Sequence, residues 1–240
     1  MVAPAPPSLT NAGYAVAGRP ILSDLTLTLS EARIGVLGRN GSGKTTLLRL
    51  IAGLISPTQG QVRVGGLDPS RDRKAMLRLI GILFQNPDHQ ILFPTVAEEL
   101  AFGLSQQGHP EPASAVTRLL KAEGRSHWAS AATHTLSQGQ RHYLCLLAVL
   151  LMEPATLLLD EPYTGLDLPT QARLKRRLAT LPQRLITITH DPAALTDAQR
   201  VLWLDHGTLR ADGPPDHVLP LFTAEMARIG QHDADTALPQ

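Results

Sequence analysis

The feature that most constrains this chain is a glycine-rich run, GRNGSGKTT, which lies between an apolar stretch and a stretch of good helix formers. The run matches GxxxxGK[ST], in which glycines allow backbone N–H groups to turn inward around phosphates. Residues 34–37 predict a buried parallel strand, and residues 47–52 predict a helix whose positive end faces the same anion. The run comprises Gly38, Arg39, Asn40, Gly41, Ser42, Gly43, Lys44, Thr45 and Thr46.

These residues predict a nucleoside triphosphate site. In such a loop Lys44 reaches the β- and γ-phosphates, and the Thr45 hydroxyl holds Mg²⁺. A glycine-rich turn that binds nothing is the alternative, and the strand–loop–helix context disfavours it.

Composition limits the remaining possibilities. The chain has 240 residues and is 43% apolar, which suits one large α/β domain with room for an inserted subdomain. A net charge of +1 argues against nucleic acid as a partner. Cys145 stands alone and is expected to be a small buried hydrophobe. The first residues lack a signal-peptide pattern, and the apolar run 143–152 is too short to span a bilayer. We therefore expect any membrane link to be through partner proteins.

Hydrophobic patterns divide the chain into a sheet-forming core and a helical lobe. Residues 14–64 show short alternating segments, which predict an antiparallel edge sheet. A loose Ala/Pro-rich start of about twelve residues precedes them. Apolar strand candidates that predict a parallel core sheet follow at 79–85, 156–160, 184–190 and 201–205.

The predicted division is a single domain, residues 1–240. Its core and antiparallel part comprise residues 1–87 and 153–215. Residues 88–152 form a helical subdomain with breaks at Pro94, Gly108 and Gly124. Residues 216–240 form a short tail, frayed from residue 232 onward.

Two further motifs follow the loop. In LLLDEP an apolar strand ends in two acids; Asp160 is predicted to hold the Mg²⁺ shell, and Glu161 to orient or deprotonate the attacking water. In LSQGQ, Ser137 and Gln140 form a capping box that begins an apolar helix. This helix start is either only a structural cap or also a γ-phosphate site.

The ordered motifs GRNGSGKTT, Gln85, LSQGQ, LLLDEP, GLD (165–167) and ITITH (186–190) resemble those of an ABC-type ATPase. The resemblance implies the ABC ATPase core, with its antiparallel β-subdomain and inserted helical subdomain. It also implies a head-to-tail dimer in which two ATP molecules are sandwiched between the subunits. Each ATP contacts the glycine-rich loop of one subunit and Ser137, Gln138 and Gly139 of the other. Gln138 departs from the commonest form, LSGGQ, and Gly139 is retained.

The same resemblance implies roles for single residues. Gln85 senses Mg²⁺ and couples to a membrane partner, and His190 contacts the γ-phosphate and positions the water. Asp167 lies across the dimer interface. Tyr14 stacks on adenine, with a structural tyrosine as the alternative. The remaining histidines show no metal-ligand clustering.

The stretch FQNPDHQ followed by PTVAEELAFG resembles ATPases of energy-coupling-factor importers for vitamins and transition metals, most of all the biotin-transport branch. That class implies two ATPase subunits, a transmembrane coupling protein and a substrate-binding membrane protein. The ATPase then lies peripherally on the cytoplasmic side of the membrane. Cobalt or nickel import is the alternative within the class. A soluble ABC ATPase that acts on nucleic acid or ribosomes, and a scaffold ATPase for cofactor assembly, are alternatives outside it.

Overall fold

The chain folds as two β-sheets with helices packed around them, and a computed structural model describes residues 4–231. The central sheet contains β3 (Arg33–Leu37), β5 (Ile80–Leu83), β6 (Thr156–Asp160), β7 (Arg184–Thr189), β8 (Arg200–Asp205) and β9 (Thr208–Gly213). Their spatial order is β5-β6-β7-β3-β8-β9, and all neighbours are parallel except β8 and β9. The four predicted core strands are confirmed to within a few residues at their ends.

The second sheet is antiparallel and contains β1 (Ser8–Val16), β2 (Arg19–Thr28) and β4 (Gln59–Arg63), in the order β2-β1-β4. The expected loose start up to about residue 12 is wrong, because β1 begins at Ser8. Leu9 and Ala12 are fully buried, and β1 pairs with both other strands. Register shifts between residues 9 and 14 break the alternation and hide the strand from pattern analysis.

The C-terminal part also differs from expectation. The hairpin strand β9 was not predicted, because it is a half-exposed edge strand with little apolar alternation. The helix that follows, α7 (Pro215–Gly230), is longer than the short stretch expected. It buries Val218 and Phe222, and the Phe222 ring meets Trp203 edge-on at 5.5 Å between centroids. The predicted frayed segment, 232–240, lies outside the described residues.

Three α-helices lie between β5 and β6, in the region predicted to be mostly helical: α3 (Val96–Gln106), α4 (Pro112–Ala122) and α5 (Gln138–Leu151). They share an apolar cluster of their own, which includes Leu100, Leu120 and Leu147. Cys145 of α5 is buried as expected, and burial raises the pKa of its thiol to about 12. The side chain therefore stays a thiol near neutral pH and is not nucleophilic.

The remaining helices are α1 (Lys44–Ile51), α2 (Arg73–Leu79) and α6 (Leu168–Ala179). Helix α1 follows β3 directly after the glycine-rich loop, and its Leu47, Leu48 and Leu50 are buried between the two sheets. The loop is thereby held at the carboxyl end of β3, where the ends of β6 and β7 also lie. Ligands of parallel sheets bind at this edge.

Candidate active site

One cavity of about 490 Å³ lies at the carboxyl ends of β3, β6 and β7. It brings together predicted residues from four separate parts of the sequence: the loop, Gln85, the two acids and His190. Its lining residues are Ile21, Asn40, Gly41, Ser42, Gly43, Lys44, Thr45, Thr46, Gln85, Asp160, Glu161 and His190. Four of the six sequence motifs therefore converge on one site.

The loop that forms one wall depends on two glycines. A side chain at Gly38 would collide with the Leu204 carbonyl oxygen and the Ser42 hydroxyl. Gly43, at the N-cap of α1, has a φ of 100°, a left-handed conformation that L-residues rarely adopt. The Ser42 hydroxyl is buried and has no hydrogen-bond partner within residues 4–231. The loop thus presents backbone and hydroxyl groups that an anion can satisfy.

Lys44 is held across this loop. Its Nζ donates hydrogen bonds to the carbonyl oxygens of Gly38 and Arg39, at 2.7 and 2.9 Å. Burial lowers the pKa of its ammonium group, and the negative charges of Glu161 and Asp160 oppose this shift. The two hydrogen bonds fix Nζ beside the cavity, where it is available to a phosphate oxygen.

Asp160 and Glu161 form the opposite wall. Asp160 is the last residue of β6 and is 9% exposed. Burial raises the pKa of the Asp160 carboxyl, the neighbouring Glu161 adds to the shift, and Lys44 opposes it. Glu161 has a φ of 47°, so the chain leaves the strand geometry immediately after Asp160. Because of this left-handed conformation, the adjacent side chains of Asp160 and Glu161 lie in different surroundings.

The end of β7 holds the Glu161 carboxylate. One oxygen accepts the Thr189 hydroxyl at 2.9 Å. The other accepts the His190 backbone N–H at 3.0 Å and lies 2.7 Å from the His190 Nδ1. The His190 side chain is still 53% exposed, so its Nε2 is the ring nitrogen that can contact a ligand. Thr189 was not singled out from sequence, although it immediately precedes His190 in the ITITH motif.

The donor set suits a hard divalent cation. The Thr45 hydroxyl and the Gln85 amide are exposed in the same cavity as the Asp160 carboxylate. Such oxygen donors are those that Mg²⁺ accepts together with phosphate oxygens. In the described part of the chain, no group of three or more His, Cys, Asp or Glu could hold a metal ion. A cation here would therefore depend on the bound nucleotide for its remaining ligands.

The predicted residues that do not line this cavity are Gly38 and Arg39 of the loop, Tyr14, and four residues at two helix starts: Ser137, Gln138, Gly139 and Asp167. Ser137 and Gln138 are exposed at the start of α5, and Gly139 follows them. Asp167 is the N-cap of α6, where its side chain accepts the Thr170 N–H at 3.0 Å. The predicted capping box is confirmed, since Ser137 and Gln140 exchange hydrogen bonds. Within one chain the residues at these two helix starts stand apart from the phosphate loop.

Tyr14 is half-buried in β1, where it packs against the cluster that includes α1, and it does not line the cavity. Ile21 of β2 does line it and was not predicted. The only sequence signal for Ile21 is its place in a β-segment upstream of the loop. The structure therefore gives Tyr14 a packing role, and adenine stacking by Tyr14 stays a prediction.

Comparison with known proteins identifies this architecture. The family model described as "ABC transporter" matches residues 22–164. The chain belongs to this family, and the expected ABC ATPase fold is confirmed. It is an ATP-binding subunit of an ABC transporter, and it hydrolyses ATP in a reaction coupled to transport across a membrane. Within residues 4–231, no helix combines the length and hydrophobicity that a bilayer crossing requires.

Individual proteins of this family show which ABC transporter ATPases the chain is similar to. The chain is 50% identical to the "Biotin transport ATP-binding protein BioM" of Rhodobacter capsulatus, over 90% of this chain and 94% of that protein. It is 36% identical to the "Energy-coupling factor transporter ATP-binding protein EcfA" of Methanothermobacter thermautotrophicus, over 82% of this chain and 67% of that protein. Among solved structures, cbiO1 of Clostridium perfringens, part of the ABC transporter complex cbiONQ, matches with a TM-score of 0.77 and 28% identity. That alignment covers 95% of this chain and 98% of the other.

Proposed function

We propose that this chain is the ATP-hydrolysing subunit of an energy-coupling-factor importer and that the transported substrate is biotin. The observation that carries the proposal is the 50% identity to BioM along nearly the whole length of both chains. The FQNPDHQ and PTVAEELAFG segments support the same class. Import of cobalt or nickel is the second candidate, because ATPases for these metals resemble the chain in the same segments.

The cavity supports a specific division of roles in hydrolysis. Lys44 and the loop amides bind the β- and γ-phosphates, while Thr45, Gln85 and Asp160 would hold Mg²⁺, which neutralises phosphate charge when bound. Glu161 is the general base for the attacking water. Thr189 and His190 orient its carboxylate through the hydrogen bonds described above. His190 Nε2 contacts the γ-phosphate.

The site requires a second copy of the chain in this proposal. Ser137, Gln138 and Asp167 are exposed and away from the phosphate loop, so an ATP bound to one subunit can contact them only on another. Leu168, beside Asp167, is 78% exposed, which suits a surface that a partner covers. Two ATP molecules between two subunits would close the dimer, and hydrolysis with product release would reopen it.

The membrane partners would contact the segment that follows Gln85. Leu92 is 69% exposed, and the neighbouring Phe93 contacts Phe102 with ring centroids 5.0 Å apart and ring planes tilted by 43°. The buried Glu99 carboxylate accepts the backbone N–H groups of Leu92 and Phe93 at 2.8 and 2.9 Å, which fixes this loop. An apolar surface on a fixed loop beside Gln85 suits a coupling helix of the transmembrane protein. The chain would then lie peripherally at the cytoplasmic face of the membrane, beside that protein and a substrate-binding membrane protein.

The test is uptake of labelled biotin, cobalt and nickel by cells that express the chain with its membrane partners. We expect biotin uptake with wild type, none with Glu161→Gln, and full uptake with the exposed control Glu111→Gln. Uptake of a metal instead would refute the biotin assignment and favour the metal branch. A chain that hydrolyses ATP but recovers no membrane protein in mild detergent would favour a soluble ABC ATPase.

A further inference from the structure

Glu123 carries a largely buried carboxylate for which the reaction scheme above has no use. It is the C-cap of α4, and its side chain is 15% exposed. One carboxylate oxygen accepts a hydrogen bond from Nη2 of Arg177 at 2.9 Å. The other accepts a hydrogen bond from the Tyr143 hydroxyl at 2.6 Å. Because Tyr143 lies on α5 and Arg177 on α6, this carboxylate connects three helices.

The groups around this carboxylate are themselves held in place. Nη1 of Arg125 donates a hydrogen bond to the Glu123 carbonyl oxygen at 2.8 Å. The same guanidinium lies over the rings of Tyr143 and Trp128, at 4.6 and 5.0 Å from their centroids. Burial raises the pKa of the Tyr143 hydroxyl, and the bond to Glu123 adds to the shift. The hydroxyl therefore keeps its proton and remains a donor.

The helices α5 and α6 are in contact, but their packing is interrupted. Leu146 of α5 and Leu174 of α6 belong to one apolar cluster. A Cβ on Gly139 would stand 3.0 Å from Cγ2 of Thr170, so the starts of the two helices approach closely. Between these contacts lies a cavity of about 260 Å³, lined in part by Gly139, Tyr143 and Thr170. Close packing fixes distances only where atoms touch, so the polar contacts beside this cavity carry part of the constraint.

Both helices begin with residues that the proposed function places on the ATP of the other subunit. Ser137 is the N-cap of α5, and Asp167 is the N-cap of α6. At a rise of 1.5 Å per residue, Tyr143 lies about 9 Å and Arg177 about 15 Å along the helices from these caps. Contact at the helix starts together with a second connection further along fixes the angle between the helices. The spacing of Ser137 and Asp167 therefore depends on that second connection.

We propose that Glu123 is a positioning residue, which ties α5 to α6 through Tyr143 and Arg177 and so sets the two-part surface that one subunit presents to the ATP of the other. The inference rests on the ATP-dependent dimer of the proposed function. Glu123 itself makes no contact with ATP in this proposal. Lys44 and the phosphate loop line a different cavity, so binding of ATP to a single subunit does not depend on Glu123.

The experiment measures ATP-dependent dimerisation in chains that also carry Glu161→Gln, which blocks hydrolysis. Arg177→Met removes the ion pair and keeps a long side chain. Arg176→Met is the matched control, because Arg176 is the exposed neighbour on the same helix and its loss changes the charge equally. Sedimentation velocity with Mg²⁺ and ATP gives the dimer dissociation constant. Equilibrium binding to the dilute monomer gives the affinity for ATP, and thermal unfolding gives Tm.

We expect Arg177→Met to raise the dimer dissociation constant about 5- to 150-fold above that of Arg176→Met, the usual range for coupling between two sites. The affinity of the monomer for ATP should be unchanged. Arg177→Lys keeps the cation and should restore much of the dimerisation. Tyr143→Phe should weaken the dimer in the same direction but less, because it removes a hydrogen bond from a neutral donor.

Equal dimer dissociation constants in Arg177→Met and Arg176→Met would overturn the inference. A lower Tm of Arg177→Met with an unchanged dimer dissociation constant would also overturn it, because Glu123 would then only stabilise the fold. If Arg177→Met does not fold, Tyr143→Phe decides alone, and an unchanged dimer dissociation constant in it counts against the inference. Absence of any ATP-dependent dimer in the parent Glu161→Gln chain would instead overturn the proposed dimer, and with it the role of Glu123.

Discussion

Replacing Glu161 with glutamine should remove the basic carboxylate while keeping a side chain of the same shape in the site. One carboxylate oxygen accepts hydrogen bonds from the Thr164 and Thr189 hydroxyls, and the other accepts one from the His190 backbone N–H. A glutamine amide can keep its oxygen toward the His190 N–H and turn its NH₂ toward Thr189, whose hydroxyl also accepts. The left-handed φ of 47° costs glutamine about what it costs glutamate. The side chain should therefore stay in place without its basicity.

The expected loss follows from the role of the group. A positioned general base contributes about 10²- to 10⁴-fold to the rate, or about 2.7–5.5 kcal/mol at 1.36 kcal/mol per tenfold. Nucleotide binding should change little, because the phosphate contacts proposed here come from Lys44 and the loop amides and not from Glu161. Removing one of two adjacent buried acids should not lower stability, since Glu161 contributes to the raised pKa of the Asp160 carboxyl.

Three measurements check this expectation. Phosphate release at saturating Mg²⁺ and ATP should fall at least 100-fold, equilibrium binding of ATP should match wild type, and size-exclusion chromatography with ATP should show a persistent dimer. Glu111→Gln, an exposed glutamate outside the cavity, controls for the change of charge. Near-normal turnover in Glu161→Gln would refute Glu161 as the base. Loss of ATP binding in this variant would show that the hydrogen bonds of the Glu161 carboxylate maintain the structure of the site.

Three further predictions concern the loop, the cation site and the buried histidine. Lys44→Ala should weaken ATP binding at least about 100-fold by isothermal titration, because charge-assisted hydrogen bonds are lost. The exposed control Lys74→Ala should bind ATP as wild type does. Wild-type affinity in Lys44→Ala would refute the loop assignment. Asp160→Asn should abolish Mg²⁺-dependent hydrolysis. It should also raise Tm by about 2–4 °C, or about 1 kcal/mol, because burying the charged carboxylate lowers the free energy of unfolding. A lower Tm would mean that the attraction between Asp160 and Lys44 outweighs this desolvation. Burial lowers the pKa of His142, so the unfolded chain binds the extra proton first, and the free energy of unfolding should fall as pH drops below 6.5. That slope should be smaller in His142→Phe, and an equal slope in chemical denaturation would contradict the expectation.

The sequence predicted those elements whose interacting residues lie close together along the chain. Three glycines, a lysine and a threonine lie within one short run, and the strand before it and the helix after it follow from adjacent residues. The same holds for LLLDE, where five residues form a buried strand and its acidic end. The capping box at Ser137 spans only four residues, and it too forms as predicted. For these elements the residues that interact are neighbours in the chain.

Elements that depend on distant partners were predicted less well. The start of β1 was missed because pairing with β2 and β4 stabilises a strand whose own alternation is broken. The edge strand β9 was missed because it is half-exposed itself and is held by pairing with a single neighbour, the buried strand β8. Tyr14 could be matched to an adenine contact by position along the chain, but only packing shows that it faces the core cluster.

By itself the sequence determined that this chain binds and hydrolyses a nucleoside triphosphate, since the phosphate loop and the acids are short contiguous motifs. Only the tertiary structure decided how Glu161, the proposed general base, is held. Glu161 accepts hydrogen bonds from Thr164, Thr189 and His190, and the last two lie at the end of a different strand. Such contacts depend on how strands and helices pack in space, which no local pattern of residues encodes.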